Sequence, residues 1–183
     1  YKGSVLGFLW TFLNPLLQLI VYTIVFSTIM KVNIDKFYIY LFIGLIPWLF
    51  FATCIQAGST SILMNKDLIK KIYFPRIILP ISTVNSAFMN MFYSMIVVLL
   101  TILVSGIGFS KYLLLLPLAM IMQYILVLGM TFIFSALNVY FRDLEYILNI
   151  IVMIWFYLTP IVYEIEMIPE KFRFWFYLNP MTG

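Results

Sequence analysis

Between two long apolar runs lies the segment NKDLIKKIYFPR, residues 65–76, which contains four of the eleven basic residues of the chain. Each flanking run is long enough for a helix that crosses a bilayer, which takes about 20 apolar residues. A basic connection between two spans is expected in the cytoplasm, because lysine and arginine accumulate in cytoplasmic loops. The segment therefore predicts both a membrane protein and its orientation.

The same segment has the pattern of a short amphipathic helix. Asn65 stands at the expected N-cap position, and Pro75 follows where the helix is expected to stop. One helical face is apolar and the other charged, with Met64, Leu68, Ile69 and Ile72 on the first and Lys66, Asp67, Lys70 and Lys71 on the second. A helix of about two turns is not stable alone in water. We therefore expect it to lie on lipid headgroups or on another protein.

The composition agrees with an integral membrane protein. Hydrophobic residues make up 64% of the 183 residues and charged residues 10%, whereas soluble domains carry about 25% charged residues. We expect one transmembrane domain over residues 1–183, truncated at both ends relative to a longer protein. The net charge of +4 does not indicate nucleic acid, because the basic residues are scattered in short loops and form no stripe. Membrane lipids or a partner protein are the expected contacts.

The apolar pattern predicts an all-α helical bundle with five spans. They cover about residues 9–30, 37–57, 77–104, 112–137 and 146–162, and the small residues at 58–61 lead the chain out of the bilayer. Small and amide side chains in the first half of span 77–104 indicate packing against other helices. After residue 162, the pieces between prolines are too short to cross about 30 Å of hydrocarbon. We expect short re-entrant or interfacial helices there, on the outer face.

Several classes of enzyme are disfavoured by what the sequence lacks. The chain has no histidine, which removes imidazole bases and metal ligands, and its single cysteine, Cys54, lies in an apolar run. It contains no G-x-x-x-x-G-K-[ST] phosphate loop, no H-E-x-x-H and no G-x-S-x-G motif. We therefore expect no catalytic residue, no metal site and no cofactor bound by this chain.

The turn NVYFRDLE at residues 138–145 carries three charges. Arg142 follows one predicted helix, and Asp143 and Glu145 open the next, so the charges suit both helix dipoles. They can serve as structural caps alone.

Three parts of the chain resemble the permease subunits of type-2 ABC exporters. They are YKGSVLGFLW with NPLL at residues 1–10 and 14–17, NVYFRDL at residues 138–144, and LNP at residues 178–180. The branch that the chain resembles most moves lipid-linked polysaccharides such as O antigen, capsule or teichoic acid. Such permeases have six spans, so the resemblance implies a sixth span after residue 183.

The resemblance also implies partners and roles for individual residues. It implies a homodimer of permeases in the bacterial inner (plasma) membrane, bound to a dimer of separate ATPase chains that hold ATP and Mg. The role of ATPase-coupling helix would fall on Lys66, Asp67, Leu68, Lys70, Lys71 and Tyr73, with Pro75 and Arg76 at the junction to the next span. Arg142, Asp143 and Glu145 would form part of a cytoplasmic entrance, and residues 160–180 an outer gate. Aromatic candidates for stacking on sugars are Trp10, Trp48, Phe51, Tyr157 and Tyr163, each of which can instead serve packing or lie in an interfacial belt.

We therefore predict a transport subunit without its own nucleotide site, which exports a lipid-linked glycan by alternating access. One alternative is a type-2 exporter of a drug or lipid. A second alternative is a polytopic membrane enzyme acting on lipid-linked sugars, which would need convergent carboxylates or a metal site.

Overall fold

The computed structural model describes residues 13, 16–18, 20–21, 24, 37–104, 111–161, 163 and 169–182. Over these residues the regular secondary structure is helical and no strand is present. The predicted all-α class is therefore confirmed for this part of the chain. Most of the predicted span 9–30, including Trp10, lies outside the described residues, and so do residues 105–110.

From residue 37 onward, six α-helices follow one another in the described part of the chain. They are α1 (Phe37–Met64), α2 (Lys66–Lys71), α3 (Ile78–Val104), α4 (Leu116–Tyr140), α5 (Leu144–Tyr157) and α6 (Glu170–Tyr177). A 3-10 turn at Lys111–Leu115 leads directly into α4.

Three of these helices are long and apolar enough to cross a membrane. With 28, 27 and 25 residues, α1, α3 and α4 extend about 38–42 Å at 1.5 Å per residue, more than the hydrocarbon thickness of about 30 Å. The 14 residues of α5 extend only about 21 Å. An integral membrane bundle is thus supported, and the count of five spans stays a prediction.

Helix α1 lies at the centre of the bundle and packs against α3, α4 and α5. In its most apolar stretch 56% of the residues are buried, compared with 28% in α3 and 11% in α4. This agrees with its sequence, because a helix with apolar residues on all sides belongs in an interior. The largest fully buried side chains come from all four of these helices and include Phe42, Phe51, Ile55, Val84, Val98, Val127 and Leu148.

Two helices end at residues other than the last residues of the predicted spans. Helix α1 continues through residues 58–61 to Met64, because their hydroxyls bond back to carbonyls of the same helix: Ser59 Oγ donates to Gln56 O at 2.9 Å, and Ser61 Oγ to Gly58 O at 2.7 Å. Hydroxyl groups satisfied in this way do not interrupt a helix. Helix α5 ends at Tyr157, short of residue 162, since the residue before Pro160 is disfavoured in helical conformation.

Polar contacts assign α2 and α6 to opposite ends of the bundle. Near α2, Asn138 Nδ2 at the end of α4 donates to Ser59 O at 3.1 Å. Nearer the start of α4, Gln123 Nε2 donates to Pro47 O at 2.8 Å and lies 3.9 Å from Sδ of Met181, which follows α6. The α4–α5 turn therefore shares one end with α2, while α6 and residues 178–182 lie at the other.

Candidate coupling helix and transport path

Helix α2 follows α1 directly and forms where the amphipathic pattern predicts it. Asn65 occupies the N-cap position, but its side chain makes no capping hydrogen bond; Nδ2 instead donates to Ser61 O at 2.7 Å. The predicted cap is therefore wrong, because the amide satisfies one of the last carbonyls of α1. The helix ends at Lys71, with Ile72 extended, so Pro75 is not the residue that stops it. Asn65 thereby joins α2 to α1.

No side chain of α2 is buried in this chain. Its apolar side is open as well, with Leu68 43% and Ile72 56% exposed and Tyr73 exposed completely. Asp67 lies in the first turn and Lys70 and Lys71 in the last, which suits the helix dipole. Only Ile69 on the apolar side is half-buried by the described residues, so this side lacks the covering surface that a helix this short requires. Met64, Lys66, Pro75 and Arg76, which flank or open the helix, are exposed too.

The turn between α4 and α5 lies at the same end as α2. Asp143 takes the N-cap position of α5 without a side-chain capping bond, and Glu145 lies in the first turn. Arg142 and Asp143 are exposed and line an open groove of about 710 Å³, together with apolar side chains of α4 and α5. Glu145 is not one of the lining residues. The groove thus combines one cation, one carboxylate and an apolar floor.

Two of the aromatic candidates are packed inside the bundle. Trp48 is 5% exposed and Phe51 is not exposed at all. The rings of Trp48 and Phe51 lie 5.4 Å apart, and Phe51 meets the Trp155 ring edge-on at 5.1 Å. Such tilted pairs add to the stability of a core. In this subunit both rings therefore pack α1 against α5.

Tyr157 and Tyr163 lie at the end of α5 that is distant from α2. Tyr157 is 68% exposed. The Tyr163 hydroxyl donates a hydrogen bond to the backbone carbonyl of Tyr157. Desolvation raises the pKa of Tyr163, so the phenol stays a neutral donor at neutral pH. These two residues remain accessible, unlike Trp48 and Phe51.

Asn179, which the sequence analysis named only as part of the LNP segment, connects the segment after α6 to the end of α5. Its Oδ1 accepts from Trp155 Nε1 at 2.9 Å and from Met181 N at 3.0 Å, and its Nδ2 donates to Thr159 Oγ1 at 2.9 Å. Beside these bonds lies an apolar cleft of about 380 Å³ between α5 and α6, which Phe176 helps to line. The one available signal was the Asn-Pro pair in the LNP segment.

The polar residues of α3 divide between packing and open surface. Asn85 Oδ1 accepts from Tyr124 OH at 2.6 Å, which agrees with the predicted helix packing. Ser82, Ser86 and Asn90 remain exposed, and with Thr53 and Thr83 they line a cleft of about 360 Å³ beside α1.

The close contact between α1 and α4, which we call the seam, was also not predicted from the sequence. A Cβ added to Gly58 would lie only 2.3 Å from Thr131 Cγ2. Thr131 and Asn138 are fully buried, and the Thr131 hydroxyl points at Cys54 O from 3.5 Å. Small residues let membrane helices approach this closely.

The chain as a whole matches a known family. The model of the family described as ABC-2 type transporter covers residues 1–182. The chain belongs to this family. Among curated relatives, the O-antigen export system permease protein RfbA of Myxococcus xanthus is 37% identical over 185 residues, which cover all of this chain and 71% of that protein. Two RfbA permeases of Klebsiella pneumoniae are each 38% identical over 184 residues, with the same coverage.

These matches confirm the predicted resemblance to type-2 ABC exporter permeases. This ABC-2 chain is a membrane-embedded transport component, and its family implies a separate ATP-binding partner. Among the described residues of the permease, no group of three or more Cys, Asp or Glu side chains could hold a metal ion.

Proposed function

We propose that this chain is the membrane-spanning subunit of an exporter of lipid-linked polysaccharide in the bacterial inner membrane. The names of its relatives, O-antigen export permeases, support a polysaccharide as cargo. They favour this cargo over a drug or a free lipid. The family, which consists of transporters, leaves little support for a membrane enzyme acting on lipid-linked sugars.

The observation that carries the proposal is α2, an amphipathic basic helix with both sides open. Its apolar side chains Leu68 and Ile72 find no cover in the described part of the chain, although such a helix is unstable without a surface. The sequence has no nucleotide-binding loop of its own. A groove on a dimeric ATP-binding subunit would supply the missing surface, and α2 would be its coupling helix.

The distribution of charge supports a cytoplasmic position for α2. The end of the bundle that contains α2 carries five of the described cations, and the opposite end carries three. They are Lys66, Lys70, Lys71, Arg76 and Arg142 at the first end, and Lys111, Lys171 and Arg173 at the other. Because basic residues favour the cytoplasmic side, we assign α2 and the α4–α5 groove to the cytoplasm and α6 to the outer face.

The exposed side of α5 supports a second copy of the permease. Tyr146, Ile150, Met153 and Tyr157 are each at least half exposed and follow one another at helical spacing. This stripe runs from the groove of Arg142 toward the outer end. We propose that two such stripes face each other across the path of the glycan, where the tyrosine rings stack on sugars.

The transport cycle follows from these assignments. Binding of ATP by the partner subunits closes them and displaces α2, and α2 moves α1, to which Asn65 joins it. A glycan lipid then enters beside the groove at the α4–α5 turn and leaves past α6. Alternating access of this kind requires differential contacts in two states.

A charge reversal tests the role of α2. The double variant Lys70→Glu, Lys71→Glu should no longer retain the ATP-binding subunit in a pull-down. The two proposed lysine contacts with that subunit would become repulsive. The matched control is Lys171→Glu, an exposed lysine at the opposite end of the bundle, which should retain the subunit. Equal retention by both variants would rule out α2 as the docking element.

The cargo is tested by complementation. In a strain that lacks its O-antigen permease, the full-length protein with its ATP-binding subunit should restore polysaccharide at the cell surface, as detected by a glycan-specific antibody. Polysaccharide that stays inside the cell despite normal amounts of both subunits would contradict the proposed cargo.

A further inference from the structure

The seam between α1 and α4 consists of side chains of α4 that reach backbone carbonyls of α1. Gln123 Nε2 donates to Pro47 O at 2.8 Å, and Asn138 Nδ2 to Ser59 O at 3.1 Å. Gln123 and Asn138 are fifteen residues apart on α4, about 22 Å along its axis. The two helices are therefore fastened at both ends of the seam, with the Gly58 contact between.

Of the two α4 side chains that bond to α1, Asn138 is the one nearer to α2. It is fully buried, and its Oδ1 has no hydrogen-bond partner. A buried acceptor without a partner lowers stability, and a leucine of similar size would avoid that cost. In coiled coils, a single buried asparagine defines the register of the helices at the expense of stability.

Asn138 also lies between α2 and the α4–α5 turn, the two elements that we assign to the cytoplasmic end. Its partner Ser59 is in the last part of α1, which leads through Asn65 into α2. On its other side, α4 ends at Tyr140, just before the turn with Arg142. A displacement of α2 is therefore transmitted through the contact of Asn138 with α1 before it reaches the α4–α5 turn.

We propose that Asn138 is a positioning residue that holds α4 in register with α1, so that both helices move as one body when α2 is displaced. The displacement then reaches the α4–α5 turn at the inner end. Through Gln123, which lies beside Met181, it also reaches the segment that follows α6. Helix α5, with only Leu148 and Val152 buried, is the helix against which this body moves. The inference rests on the proposed export function.

One experiment separates a register role from a stabilising role. Asn138→Leu should leave the unfolding temperature unchanged or higher, because removal of the buried acceptor without a partner offsets the lost hydrogen bond to Ser59 O, a compensation that Gln123→Leu lacks. Export per ATP hydrolysed should nevertheless fall at least about fivefold, the lower limit of typical coupling between sites. Wild-type export per ATP with Asn138→Leu would overturn the proposal. A loss of export only in step with lost protein and a lower unfolding temperature would also overturn it.

A covalent lock at the seam provides the rescue. In a Cys54→Ala background, Gly58→Cys and Thr131→Cys form a suitable pair, since a Cβ on Gly58 lies 3.5 Å from Thr131 Cβ, within the range of about 3.5–4.5 Å for disulfides. Oxidation of this pair should restore export to the Asn138→Leu variant, and reduction should remove the rescue. An oxidised pair that blocks export in the otherwise unchanged protein would show that α1 and α4 slide past each other.

The same cysteine pair tests the inference independently of cargo. In the complex with the ATP-binding subunit, the yield of crosslinked permease should be equal without nucleotide and with trapped ATP. A yield that drops about tenfold in one state would contradict movement as one body, because disulfide geometry tolerates little separation. If the wild-type protein exports no polysaccharide, the proposed function fails, while the crosslinking yields still decide the inference.

Discussion

Gly58 and Gly129 offer a matched test of how closely α1 and α4 approach. A Cβ at Gly58 would lie 2.3 Å from Thr131 Cγ2, whereas a Cβ at Gly129 meets no atom within 4 Å. Carbon atoms prefer a separation of about 3.5–4.0 Å, so Gly58→Ala requires a shift of at least about 1.2 Å. Overpacking of this kind costs about 1–3 kcal/mol. Both substitutions gain the same helix propensity, about 1 kcal/mol, so the overpacking cost is the expected difference between them.

Thermal unfolding of the purified protein in detergent measures that difference. At about 2–4 °C per kcal/mol for a chain of this size, Gly58→Ala should unfold about 2–12 °C below Gly129→Ala. The variant Gly129→Ala should equal or exceed the wild-type protein. Both proteins carry one added methyl group on a membrane helix, so effects of composition cancel.

A second substitution identifies the atom responsible. Thr131→Ser removes Cγ2 and keeps the hydroxyl, so the double variant Gly58→Ala with Thr131→Ser should recover most of the lost stability. The two residues are in contact, and their effects should therefore be non-additive. Equal unfolding temperatures for the two alanine variants would refute the close approach of α1 and α4. A double variant without recovery would refute the contact with Thr131.

Three further predictions concern the outer end and the seam. Asn179→Ala should lower stability by about 1–3 kcal/mol and speed proteolysis after α5, while Thr182→Val, which removes a buried hydroxyl without a partner, should not. Gln123→Leu should lower stability by about 0.6 kcal/mol, the average for side-chain bonds between membrane helices, as measured by detergent unfolding; an unchanged midpoint would contradict the bond to the α1 carbonyl. Tyr157→Ala should reduce export with no loss of the ATP-binding subunit in a pull-down, because Tyr157 is exposed at the end distant from α2; full export would contradict its contact with the glycan.

The pattern along the chain was sufficient where local composition determines the structure. Residues 66–71 alternate apolar and charged residues at helical spacing, and α2 forms there. The long apolar runs predicted the positions of α1, α3 and α4, because a helix that is apolar over such a length has to lie inside the protein or in the hydrocarbon of a bilayer. The charges at residues 142–145 predicted a turn between helices, and Asp143 lies at the N-cap of α5.

Local pattern was insufficient where a polar group has several partners to choose from. Asn65 was expected to cap α2, yet it bonds to Ser61 O, since a free carbonyl of α1 lies within reach. The small polar residues 58–61 suggest the end of an apolar helix, yet the hydroxyls of Ser59 and Ser61 bond to carbonyls within α1 and the helix continues. The choice depends on backbone geometry that composition does not express.

The fold class, the basic helix α2 and the family resemblance could be predicted from the sequence, because apolar run length, charge placement and short motifs are properties of neighbouring residues. The folded structure was needed to show that Trp48 and Phe51 pack in the core, that Asn179 joins α6 to α5, and that Asn138 contacts Ser59, 79 positions away. These contacts depend on which helices lie side by side and in which register. That arrangement follows from the packing of whole helical faces, which no single segment specifies.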